Sequence, residues 1–323
     1  MVSPRLKKIL IWLLKILIFV VAWSYVVYKL ATMEQDFSVI FSDGNFSIPL
    51  FSSVCILMFA NWGAESLKWQ NLVNCGQKIT YRKAVSGVLV GLPLALITPN
   101  RVGEIGGRAI VLDKGRRNAV VATFLGSMTQ LASTLIFGVL GVMVYLLFFQ
   151  HTVGVESAAW ISLLIVVALV VVLLVCRDQR WLRRLALKLV GRKMYVAFIR
   201  AMRLYCFGNI FRVLLISLLR YCVFSLQFGL LIRMLIPELS VVEIFVGITL
   251  TYLFTTVIPT TVLGEIGIRG SVAMFVFGAF TTRVTVIFQI SLLIWIINIA
   301  VPTLAGSLIL LSLRQKKHVN STK

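Results

Sequence analysis

The chain has 323 residues, 59% of them hydrophobic, with a formal net charge of +21 and a mean hydropathy of +0.98. Many of its apolar runs reach the ~18 residues that a lipid-spanning helix needs, which excludes a soluble catalytic domain and makes this a polytopic membrane protein. The basic excess is not a nucleic-acid signal, because membrane proteins gather Lys and Arg in cytoplasmic loops that face anionic lipid.

Arg5, Lys7 and Lys8 precede an apolar run from Ile9 to Leu30. That run is too long for a signal-peptide core and no small-residue cleavage site follows, so a retained first helix is expected at 9–30. Further full spans are expected at 47–67, 118–149, 157–175, 207–232 and 284–312. Two other apolar stretches, 84–98 and 244–258, each run into a polar motif: TPNRVGEIGGR near residue 98 and IPTTVLGEIGIRG from residue 258. The stretch 84–98 spans about 22 Å as a helix, short of a hydrocarbon core of about 30 Å. A re-entrant hairpin over 84–113 is the expected solution, broken between Pro99 and Gly103, because the residue before a proline is biased away from helix. A second hairpin is expected over 244–281, broken at Pro259. Between 176 and 205, RWLRRLALKLV (180–190) sets Trp181, Leu182, Leu185 and Leu189 against Arg180, Arg183, Arg184 and Lys188. This pattern predicts an interfacial helix on the anionic inner leaflet.

Loop charge orients the spans. The N-terminus, 68–83, 114–117, 176–205 and the C-terminal tail hold 23 of the 32 Lys and Arg. The segments between them on the other side hold Lys29, Arg233 and Arg283 with six acids. The positive-inside rule then places both termini in the cytoplasm. The GEIGxR cores lie 161 residues apart, half the chain. Shifting by that amount superposes span on span and hairpin on hairpin. The expected fold is an all-α polytopic membrane protein, an inverted repeat of two halves (1–156 and 157–323). Each half holds three transmembrane helices plus a re-entrant helical hairpin, and together they form one membrane domain.

In each motif the glutamate precedes the arginine by four residues, Glu104 with Arg108 and Glu265 with Arg269, which puts the pair on one helix face. Asn100 and Thr261 align under the shift and are good N-cap types. Gly103, Gly106, Gly264 and Gly267 are expected to let backbones approach, and Pro99 and Pro259 to break the hairpins. Two helix N-termini, two carboxylates and Arg101, Arg108 and Arg269 would then meet at membrane depth, where ionisable groups are functional candidates. Helix N-termini and guanidinium forks suit phosphate. Gln130, Gln289 and Asn298 on flanking spans are candidates to line the same cavity, while Lys15, Arg212 and Arg220 are expected to snorkel or pair. The bland alternative is that each Glu–Arg pair only locks its hairpin. Five cysteines without CxxC spacing and only two histidines give no metal site and no cofactor.

TPNRVGEIGGR, the following SMTQL and the later IPTTVLGEIGIRG resemble the transmembrane region of the lysylphosphatidylglycerol synthase family, also called the flippase-like domain. The resemblance extends over nearly the whole chain. The second motif departs from the Pro-Gly-Gly pattern of many members, so the resemblance carries the fold rather than the identity of the lipid. Members that make aminoacylated lipid have a large soluble synthase domain, which is not expected here. The resemblance implies a lipid transporter of the bacterial cell (inner) membrane rather than an enzyme. Its partners would be membrane lipids, either anionic phospholipid or polyprenyl phosphate. A lipid-modifying enzyme, disfavoured by the lack of a catalytic constellation, and a scaffold for envelope biosynthesis are the rival readings. A homo-oligomer or an envelope-biosynthesis partner fits any of them.

Overall fold

The computed structural model describes residues 46–98, 101–112, 114–149, 204–205, 207–258 and 262–312, without the side chains of Ile97, Val257 and residues 262–266. The expected spans 9–30 and 157–175, the basic segment 180–190, Lys15, Pro99, Asn100, Pro259 and Thr261 lie outside the described residues, and of Gly264 and Glu265 only the helical backbone is described.

The described residues are helical, without strands. In chain order the helices are α1 (Ile48–Asn74), α2 (Tyr81–Ile97), α3 (Val102–Ile110), α4 (Arg116–Phe149), α5 (Phe207–Leu235), α6 (Val241–Val257), α7 (Val262–Phe277), α8 (Val284–Trp295) and α9 (Val301–Ser312). A π-helical turn, Ile296–Ala300, joins α8 to α9. Among the described residues four helices are long and apolar enough to cross a membrane: α1, α4, α5 and the continuous run Val284–Ser312. The chain is a multi-pass membrane protein.

Local chemistry sets the helix ends. Thr80 caps α2 by accepting a hydrogen bond from the Lys83 amide at 3.4 Å. Ser240 and Glu243 cap α6 reciprocally: Ser240 Oγ accepts from the Glu243 amide at 3.3 Å and Glu243 Oε2 accepts from the Ser240 amide at 2.7 Å. Both α2 and α6 stop one residue short of an extended residue that precedes proline, Thr98 (φ −105°, ψ 138°) and Ile258 (φ −87°, ψ 112°).

After that stop, α3 folds back along α2 and α7 packs on α6. The α2–α3 contact is backbone against backbone. A Cβ on Gly107 would meet the Cα of Gly91 at 2.8 Å, and a Cβ on Gly103 would collide with the Leu94 carbonyl. Gly103 and Gly107 are four apart and share the face towards α2. Gly106, expected to serve a close approach, does not: it lies off that face and nothing stands within 4 Å of a Cβ there, and the same holds for Gly267.

Around these hairpins α1 packs against α5, α4 against α6, and α9 against α2; α3 lies on α4 and α7 on α8. Without water to drive helices together in lipid, small residues at the crossings supply the van der Waals contact. Gly138 and Gly141 of α4 receive Leu253 and Thr249 of α6, and Gly306 of α9 sits on the Leu89 carbonyl of α2. One apolar cluster joins α1, α5, α6, α7 and α8, and a second joins α1, α2, α3 and α4. The polar groups lie where these clusters meet.

Candidate functional site

Helix α1 carries the first surprise. The expected span 47–67 continues to Asn74, so Lys68, read as the start of a cytoplasmic loop, is an interior residue that is 1% exposed. It pairs with Glu65, itself 4% exposed, at 2.6 Å. Glu65 also accepts from Arg108 of α3 at 2.8 Å and meets Arg220 of α5 at 3.1 Å. Arg108 is paired in turn with Glu104, one turn earlier on α3. The motif pair Glu104–Arg108 therefore exists, but it belongs to a five-residue ion cluster centred on Glu65. A carboxylate has about four lone-pair sites, enough for three cationic donors. The arrangement meets the requirement that buried charges be paired and hydrogen-bonded.

Arg220 is the member that faces both ways. Its Nε donates to Asn61 at 2.8 Å and its Nη1 to Gln130 at 3.0 Å. Its guanidinium lies 5.6 Å from the centre of the Trp62 ring. On its other side opens a cavity of about 430 Å³. Arg101, Arg220 and Arg269 line it together with Asn61, Trp62, Gln130, Tyr252 and Asn298. Arg269 lies over the Tyr252 ring at 5.6 Å. The Nε2 of Gln130 is buried and has no partner among the described residues.

Two local backbone features frame the cavity. Arg101 has φ +56°, the one non-glycine residue with positive φ among those described. It is the N-cap residue of α3 and makes no side-chain cap. The expected cap residue, Asn100, lies outside the described residues. One amide of the first turn of α3 is served by Thr98, whose Oγ1 accepts from the Gly103 amide at 2.6 Å. The left-handed conformation costs a non-glycine residue roughly 1–2 kcal/mol, and here it places an arginine in the cavity wall.

The second feature is the π-turn. Pro302 has no N–H, so the carbonyl four residues earlier, on Asn298, loses its helical donor. The helix widens there, as helices do at proline and at functional sites. The indole of Trp62 donates to that carbonyl at 3.0 Å, and the Asn298 side chain accepts from Asn61 at 2.9 Å.

Of the sequence-nominated residues, Arg101, Arg269, Gln130 and Asn298 thus converge on the cavity. Glu104 and Arg108 stand behind it in the ion cluster. Gln289 is buried in α8 but does not line the cavity. Sequence reasoning missed Glu65 and Trp62 and underrated Arg220. Glu65 had a signal, being an acid inside an apolar run, and so did Arg220.

The sequence matches the family model described as lysylphosphatidylglycerol synthase TM region over residues 12–306. No curated protein and no solved structure matches it. A match that covers most of the chain, on an all-helical multi-pass fold, settles the family: the chain belongs to the lysylphosphatidylglycerol synthase transmembrane-region family.

Proposed function

We propose that this protein is a flippase-like transporter of the bacterial cell membrane. It takes the phosphate-bearing headgroup of a lipid into the cavity and passes it between the leaflets. The observation that carries this reading is the cavity itself: three arginines from α3, α5 and α7, with amide and indole donors, around a space of about 430 Å³. Guanidinium forks favour phosphate, and a cavity at membrane depth keeps the polar head out of hydrocarbon. We read Arg101, Arg220 and Arg269 as headgroup ligands. Glu104 and Arg108 hold their hairpin in place, together with Glu65, so the bland reading of the first motif becomes the preferred one.

The helix contacts support an inverted repeat. Under the 161-residue shift α1 corresponds to α5, α2 to α6, α3 to α7, and α4 to the run from α8 to α9. The contacts obey the same exchange: α4 on α6 matches α9 on α2, α3 on α4 matches α7 on α8, and α1 meets its own counterpart α5. In this reading the two hairpins are re-entrant from opposite faces, with both termini cytoplasmic. Alternating access then arises as one half rocks against the other. Cysteines placed singly at Arg116 and Thr282, in a background without native cysteines, test the sidedness. An impermeant thiol reagent applied to intact cells should label Thr282→Cys and spare Arg116→Cys; the opposite result ends the inverted model.

Function is tested in proteoliposomes with a fluorescent phosphatidylglycerol. Reconstituted protein should move the probe between leaflets, and Arg220→Ala and Arg269→Ala should each reduce the rate at least tenfold while eluting as monodisperse protein. Chemical conversion of the lipid would favour an enzyme. Unaltered lipid without movement, across anionic phospholipid and polyprenyl phosphate probes, would favour a scaffold.

A further inference from the structure

The headgroup reading leaves Lys68 without a task. It is an interior lysine on α1, 1% exposed, with its Nζ 2.6 Å from Glu65 and donating to the Gly126 carbonyl of α4 at 3.3 Å. The charged groups around it are Glu65 on α1, Glu104 and Arg108 on α3 with Arg101 at that helix's start, and Arg220 on α5; α4 offers the Gly126 carbonyl. Among the described residues the ion-paired cluster sets two carboxylates against three cations, so one positive charge is in excess. An excess charge in a dry interior is unfavourable. Two of the three cations are guanidiniums, which do not deprotonate in proteins, so among the cations only Lys68 can relieve the excess by releasing a proton. Its release leaves Glu65 paired, since Arg108 stays at 2.8 Å and Arg220 at 3.1 Å. Within the cluster Arg220 also lines the cavity, so an anion arriving there adds its negative charge beside the cluster.

We propose that Lys68 is a proton site coupled to occupancy of the cavity: it takes up a proton when an anionic headgroup enters and releases it when the headgroup leaves. The proton passes between water and Nζ, and no bond of the lipid changes. A carrier that is protonated when loaded and neutral when empty moves a proton with its cargo, so a proton gradient would set the direction of transport. This inference rests on the cavity binding phosphate.

The test uses the full chain in detergent and dihexanoyl phosphatidylglycerol, a phosphodiester with no titrating group of its own near neutral pH. Calorimetric titration in two buffers of different ionisation enthalpy counts the protons exchanged on binding. Measured from about pH 7 to about pH 10, wild type should take up a fraction of a proton on binding. Its affinity should fall about tenfold across that range, the consequence of a shift of about one pH unit. That shift is what one added charge produces at roughly 10 Å and an effective dielectric of about 20. Lys68→Arg, which keeps the charge permanently, and Lys68→Met, which removes it, should both bind with no proton uptake at Lys68 and a flat pH profile. Binding without proton uptake in wild type, or uptake that persists in Lys68→Arg, overturns the proton site and leaves the cavity reading intact. Absence of binding in wild type overturns the cavity reading itself.

Discussion

Replacing Glu65 with glutamine tests whether the buried cluster holds α1, α3 and α5 together. The side chain is 4% exposed, and its carboxylate is the shared partner of Lys68 at 2.6 Å, Arg108 at 2.8 Å and Arg220 at 3.1 Å. Glutamine keeps the shape and one acceptor oxygen but removes the charge, leaving Glu104 against both guanidiniums. Breaking a buried pair from one side typically costs ~3–5 kcal/mol, because the stranded charge remains in low dielectric. We expect about 3 kcal/mol, as Glu104 retains Arg108 and Lys68 can lose its proton. Glu104→Gln should cost about 1 kcal/mol, because Glu104 is 15% exposed and Arg108 would still have Glu65. Thermal unfolding of the purified protein in detergent, followed by tryptophan fluorescence, should show Glu65→Gln lowering the midpoint by roughly 3–6 °C. The double variant Glu65→Gln/Arg220→Gln removes one charge of each sign and leaves the Glu104–Arg108 pair. Its loss should fall short of the sum of the single losses by at least ~1 kcal/mol, as expected for groups in one network. A Glu65→Gln protein that melts with wild type, or a double variant whose loss is the plain sum, would refute the claim that this carboxylate organises the cluster.

Three further outcomes follow from the same geometry. Arg220→Lys should fold yet translocate a fluorescent phospholipid at least tenfold more slowly, because an ammonium cannot reproduce the planar donors that reach Asn61, Gln130 and Glu65 together. Arg101→Gly should raise thermal stability by about 1 kcal/mol through relief of the left-handed backbone at φ +56°, while slowing transport in the proteoliposome assay. Gly306→Val should lower the melting midpoint by the equivalent of ~1–3 kcal/mol, since a Cβ there collides with the Leu89 carbonyl and α9 cannot keep its distance from α2; Gly106→Ala, with open space around it, should be nearly neutral in the same melt.

Much of the scaffold was determined by the sequence alone, and the reason is the bilayer. A lipid solvent forces backbone hydrogen bonds to be made within each segment, so the apolar runs at 47–67, 118–149, 207–232 and 284–312 could only be helices, and they are. Proline restricts the residue before it, so the ends of α2 and α6 could be read at Thr98 and Ile258. The four-residue spacing of Glu104 and Arg108 was enough to pair them. Periodicity says nothing about which helices cross, and that is where the site is decided. Glu65 meets Arg108 43 positions away, and Arg220 meets Asn61 159 positions away. Only the packing of α1 against α5 brings Arg220 to the Glu65–Lys68 pair, and only the placing of α3 and α7 beside them leaves Arg101, Arg220 and Arg269 around one cavity. The hydrogen bond from the Gly103 amide to Thr98, and the π-turn that lets Trp62 reach the Asn298 carbonyl, depend on how the chain reverses and where Pro302 lands against α1. A charge inside an apolar run announces from sequence that it needs a partner; the partner's identity belongs to the tertiary structure, because it is fixed by distances between helices that no local pattern encodes.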